Sequence, residues 1–78
     1  MPINLSLIDD AELRGYIKFN DDRSRITYIC GRDFTDNFAD SEEVVRAFVY
    51  SWLIIVKGYP AQRIEVENSF RGRCLTLY

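Results

Sequence analysis

The clearest hydrophobic pattern in the chain lies between Asp40 and Pro60. Val45, Phe48, Val49, Trp52 and Val56 recur at helical spacing, and no glycine or proline interrupts residues 41–57. Val44, Ala47, Ser51, Leu53, Ile54 and Ile55 widen that stripe until little polar perimeter remains, which predicts one long buried helix covered on more than one side. Asp40 reads as its N-cap with Glu43 at the third helical position, a capping-box variant, and Gly58 followed by Pro60 stops it. Residues 60–63 have room for a single turn. Ile64-Glu65-Val66-Glu67 then alternates with period two, as in a strand with one wet face. Residues 68–72 read as a loop, and residues 73–78 resume a strand with Leu75 and Leu77 on one side.

The first half is patterned more weakly. Ser6 is a candidate cap for a short helix, with Asp9 and Asp10 in its first turn and Leu7, Ile8, Ala11 and Leu13 as its apolar stripe. Gly15 stands where a left-handed residue would end it. Residues 16–19 and 25–30 are rich in β-branched and aromatic side chains, and the turn-prone Asn20-Asp21-Asp22-Arg23-Ser24 between them predicts a hairpin. Gly31-Arg32-Asp33 breaks the second strand. Residues 34–39 read as an irregular connector whose Phe34 and Phe38 lie over the core. The predicted order is α-β-β-α-β-β: an α+β fold in one domain spanning 1–78, with the long helix on a small, mostly antiparallel sheet. Two strands alone are marginal, so the two hairpins are expected to meet in one sheet or to be completed by a second chain.

Composition narrows the chemistry. At 78 residues, with 47% hydrophobic and 28% charged side chains, the chain has the balance of a small globular domain. Ten Lys+Arg against 12 Asp+Glu give a net charge of −2, so nothing draws the whole molecule to nucleic acid or to an anionic membrane. The sequence contains no histidine, which excludes Ser-His-Asp and Cys-His catalysis and any imidazole-ligated zinc. Cys30 and Cys74 cannot complete a zinc site by themselves and are expected to serve as small buried hydrophobes. The apolar run at 47–56 is about half the ~20 residues needed to cross a bilayer. The first ten residues carry an acidic pair and no basic segment, so a cytoplasmic protein without a membrane partner is expected.

Four stretches are similar to a known family: Gly15-Tyr16-Ile17-Lys18, Ile26-Thr27-Tyr28-Ile29-Cys30-Gly31, Phe38-Ala39-Asp40-Ser41-Glu42-Glu43-Val44-Val45-Arg46, and Lys57-Gly58-Tyr59-Pro60-Ala61-Gln62-Arg63-Ile64-Glu65-Val66-Glu67. They resemble the amino-terminal region of type I restriction enzyme R-subunit-like proteins, which leads into a nuclease domain of the PD-(D/E)xK group. The resemblance implies a glutamate near the start of the long helix, an aspartate on the following hairpin and a Glu-x-Lys pair on a later strand, which together hold Mg²⁺ for attack on a phosphodiester. Glu43 matches the helix position and is the candidate catalytic residue. At the aspartate position the chain reads Gly72-Arg73-Cys74-Leu75-Thr76-Leu77-Tyr78, without an acid, and no Glu-x-Lys follows.

The expectation is therefore a truncated, catalytically inactive restriction-endonuclease-like domain whose partners are DNA or restriction-modification subunits. No cofactor is expected, and Mg²⁺ enters only if another chain completes an endonuclease site. The alternative is a small homo-oligomeric interaction or regulatory module without nucleic-acid chemistry. Arg63, Arg71 and Arg73 are the candidate phosphate contacts, provided the last hairpin gathers them on one side. Arg23, Arg25 and Arg32 form a second possible cluster. Trp52, Ile54 and Ile55 are the candidate interface residues, and Glu65 with Glu67 reads as the solvated face of a strand.

Overall fold

A computed structural model describes residues 3–69 and 72–78, so Phe70 and the candidate Arg71 lie outside the described residues. The elements run α1 (Leu5–Leu13), β1 (Ile17–Phe19), β2 (Arg25–Tyr28), β3 (Phe34–Asn37), α2 (Ser41–Ile55), a 3₁₀ turn (Ala61–Arg63), β4 (Ile64–Ser69) and β5 (Gly72–Leu77). The fold is α+β, with two helices and two small antiparallel sheets: β1-β2-β3 and β4-β5. Ile8 and Ala11 of α1, Ile17, Ile26 and Tyr28 of the first sheet, Ala47, Phe48, Tyr50 and Ile54 of α2, and Ile64 and Val66 of β4 make the core. Tyr50 places its ring edge-on to Tyr28, with centroids 5.0 Å apart, and donates its hydroxyl to the carbonyls of Tyr16 and Ile29. One side chain of α2 thus pins the base of the first hairpin. No described helix is long and apolar enough to cross a membrane.

Several expectations are corrected. The order is α-β-β-β-α-β-β, because residues 34–37 form β3 against β2. Phe34 and Thr35 favour a strand, but Asp36 and Asn37 disfavour one and the run is only four residues long. The strand exists through its pairing, with Thr35 hydrogen-bonded to Thr27 and Arg25 to Asn37 across the ladder. The hairpins also do not merge into one sheet. Between the two sheets the described contact of strand type is a single bridge, Arg32 to Glu65. Gly31 allows this approach, since a β-carbon there would lie 2.5 Å from the backbone oxygen of Gln62.

The long helix is not buried throughout. Its buried face is Glu43, Arg46, Ala47, Phe48, Tyr50, Ser51 and Ile54. Val45 is 43% exposed, the flanking Val56 is 57% exposed, and Val49 and Trp52 are half-buried. Hydropathy pointed to the valine stripe because it scores Glu43 and Arg46 as solvent-seeking. As a mutually neutralising pair they can be buried instead. In α1, Asn4 rather than Ser6 is the N-cap, its side-chain oxygen accepting from the Ser6 N–H, and Leu13 is 86% exposed outside the stripe. Cys30 and Cys74 are half-buried rather than buried.

Candidate functional site

The strongest concentration of chemistry gathers where α2 meets both sheets. Asp40 caps α2 by accepting the Glu43 N–H at 3.0 Å, one arm of the predicted capping box. The reciprocal arm is replaced. The Glu43 carboxylate turns inward, is fully buried, and accepts four hydrogen bonds. Oε1 receives Nη2 of Arg46 at 2.8 Å and Nε of Arg73 at 2.9 Å. Oε2 receives Nε of Arg46 at 2.9 Å and the Tyr28 hydroxyl. A carboxylate offers about four acceptor positions, so all are occupied.

Arg46 is equally saturated. Besides its two bonds to Glu43, Nη2 donates to Asp36 of β3 at 3.1 Å, and Nη1 donates to the Glu67 carbonyl and the Asn68 side chain, each at 3.0 Å. All five guanidinium N–H groups are thereby used, while the Arg46 Cζ lies 5.5 Å from the Tyr28 ring centroid and 5.3 Å from that of Phe34. Arg73 of β5 reaches Asp40 at 2.7 Å, Glu42 at 2.8 Å and Glu43 at 2.9 Å. The network therefore joins β2, β3, α2, β4 and β5, and it holds the two sheets together where backbone pairing does not.

Its electrostatics follow from the geometry. Burial pushes the Tyr28 phenol upward, and the hydroxyl's bond to the Glu43 anion pushes it further. Burial works to raise Asp36 too, but the hydrogen bonds from Asn68 and the Asn37 N–H, with the charges of Arg46 and Arg73, win and hold it below its ordinary 3.8. Four acids (Asp36, Asp40, Glu42, Glu43) face two arginines, so the cluster is net anionic.

The sequence-derived candidates are scattered by the fold. Glu43 lies at the centre of the network. Arg73 is tied to three carboxylates. Arg63 ends the 3₁₀ turn beside Ile64, which pairs with Leu77, whereas Arg73 pairs with Asn68, so the two arginines sit at opposite ends of the last hairpin. Arg23 pairs with Asp9 and covers the Phe19 ring, Arg25 bonds Asn37, and Arg32 meets Glu65 through a backbone β-bridge. Ile54 is buried, while Trp52 and Ile55 are half-buried against the core. Among the described residues, no three of His, Cys, Asp or Glu converge as metal ligands. Sequence reasoning missed Arg46, Asp36, Asn68 and Tyr28. The i, i+3 spacing of Glu43 and Arg46 was the one local signal available.

Beside the network, a groove of about 460 Å³ runs between α2 and β5, with Val45, Val49 and Leu75 as its apolar wall and Glu42, Arg46 and Arg73 at its polar end. No family model, curated protein or solved structure matches this chain.

Proposed function

We propose that this chain is a non-catalytic interaction module that works as a homodimer. The observation that carries the non-catalytic part of the reading is the filled acceptor shell of Glu43. The acid that the resemblance assigns to Mg²⁺ has its four acceptor positions on Arg46, Arg73 and Tyr28, and a metal would have to break a buried ion pair to reach it. Arg73 is held by carboxylates in the same way, so a DNA phosphate gains little from it. The homodimer part is supported by exposed apolar side chains near α2 and β5: Val45, Val56 and Leu77 are each more than 40% exposed, and Val45 borders the α2–β5 groove.

The second reading is a nuclease-derived scaffold associated with DNA restriction. It is supported by α2 opening at Ser41, the left-handed Gly58 and β4 beginning at Ile64, the frame in which the R-subunit-like motifs occur. Light scattering over a concentration series, run beside a low-salt duplex titration and a plasmid assay with Mg²⁺, separates the two. The homodimer reading expects a particle of twice the 9.2 kDa chain mass, indifferent to DNA. Magnesium-dependent, chelator-sensitive cleavage, or a monomer at every concentration, overturns it.

A further inference from the structure

We propose that the second copy docks along the outer edge of β5, antiparallel to its counterpart about a two-fold axis at Leu75. This inference rests on the homodimer reading and says which surface makes the dimer.

The Tyr78 N–H donates to the Arg63 carbonyl at 2.8 Å, and Ile64 pairs with Leu77 in the next register position. Antiparallel ladders alternate between hydrogen-bonded and non-hydrogen-bonded pairs. Thr76 and Cys74 therefore direct their backbone groups toward β4, and Arg73, Leu75 and Leu77 direct theirs away from it. Among the described residues no partner strand meets that outer row, because β5 ends its sheet. The opposite edge of the hairpin is covered by the Gly31–Arg32 approach and the Arg32–Glu65 bridge. Among the described residues, one edge is closed by the chain itself and the other meets no strand.

Open edges in monomers are normally blunted by proline, lysine, a bulge or a very short strand. β5 is six residues long, pairs with β4 without a bulge, and contains neither proline nor lysine. Its one charge, Arg73, is already met by Asp40, Glu42 and Glu43 of its own copy. Two β5 strands therefore do not set one uncompensated arginine against another. The acids Glu65 and Glu67 lie one strand back, and across a four-stranded β4-β5-β5-β4 sheet they stand about 14 Å from their counterparts, beyond the ~8 Å screening length.

Self-pairing also matches the pattern of free groups. Centred on Leu75, each strand's Arg73, Leu75 and Leu77 meet Leu77, Leu75 and Arg73 of the second copy, so six backbone hydrogen bonds form with none of the outward groups omitted. Leu75 and Leu77 lie on the same strand face as Ile64 and Val66, the face turned to α2. The incoming leucines thus arrive beside the groove wall of Val45 and Val49 and cover surface that is otherwise wet.

The test uses the full chain and two variants. In this register Thr76 faces Cys74 of the second copy in a non-hydrogen-bonded pair with Cα atoms about 4.5 Å apart, within disulfide range. Thr76→Cys should give a covalent dimer under mild oxidation, seen on a non-reducing gel, whereas adding Cys74→Ser should abolish it. Leu77→Lys places a charge on the edge and should raise the dimer dissociation constant at least tenfold in sedimentation equilibrium. If the wild-type chain dimerises but Leu77→Lys dimerises as tightly and Thr76→Cys fails to cross-link, the β5 edge is the wrong surface and self-association stands. If the wild-type chain is monomeric throughout, both the surface and the homodimer reading fail.

Discussion

Replacing Glu43 with alanine tests whether this residue is a cap or the centre of a buried ion network. As a capping-box member alone it would be worth about 0.5–2 kcal/mol. The structure assigns it more. The substitution leaves the Tyr28 hydroxyl buried without its acceptor, at about 1–3 kcal/mol. It also removes one of the two carboxylates on Arg46, whose side chain is 3% exposed. Breaking a buried pair costs about 3–5 kcal/mol, and the surviving bond to Asp36 places this case at the lower end. The contributions overlap, so about 4 kcal/mol is expected, or roughly 20 °C in melting temperature for a chain of this size. A domain of 78 residues holds only about 4–12 kcal/mol in total, so urea curves belong near 10 °C, close to maximum stability. Tyr28→Phe should cost about 1 kcal/mol, and combining it with Glu43→Ala should cost less than the sum, since no hydroxyl is then orphaned. A loss below about 1.5 kcal/mol for Glu43→Ala, with an unchanged denaturant slope, would refute the network reading.

Three further outcomes follow from the same geometry. Burial raises both Tyr28 and Tyr50 above the ordinary 10, with Glu43 adding to the shift at Tyr28; their stabilising effect is therefore complete below pH 10 and is lost as pH climbs toward the folded values. Ultraviolet titration should accordingly show these two phenols ionising only as the chain unfolds, and early ionisation of all five tyrosines would contradict their placement. Asp36 is depressed, so its contribution is present above pH 3.8 and disappears as pH falls below it; Asp36→Asn should flatten the acid limb of the stability curve there. Gly31→Ala should destabilise by about 1–3 kcal/mol, because its β-carbon meets backbone at Gln62 rather than a side chain that can move, and a wild-type melting curve would count against the Arg32–Glu65 bridge.

Local punctuation was legible from residues alone. Asp40 as a cap, Gly15 and Gly58 in the left-handed region, the 20–24 hairpin loop and the alternation of Ile64 and Val66 are short-range physics, decided by a few neighbouring dihedrals. These residues determined where α2 begins, where both helices end and where the first hairpin turns, and that both α and β structure is present; the start of α1, at Asn4 rather than Ser6, was not among them. Tertiary structure alone decided the rest. β3 is four residues long, half of them the strand-poor Asp36 and Asn37, and is stabilised by the ladder that β2 offers. The two hairpins lie in separate sheets, joined by the side chains of Arg46 and Arg73 and by the Arg32–Glu65 backbone bridge. The buried face of α2 is turned from the valine stripe to the stripe holding Glu43 and Arg46, since a charge becomes a core residue only when its counter-charges arrive from elsewhere in the chain, here Asp36 ten residues before Arg46 and Arg73 thirty residues after Glu43. Hydropathy scores each side chain against water. Burial of an ion is settled by its partners, and those are a property of the fold.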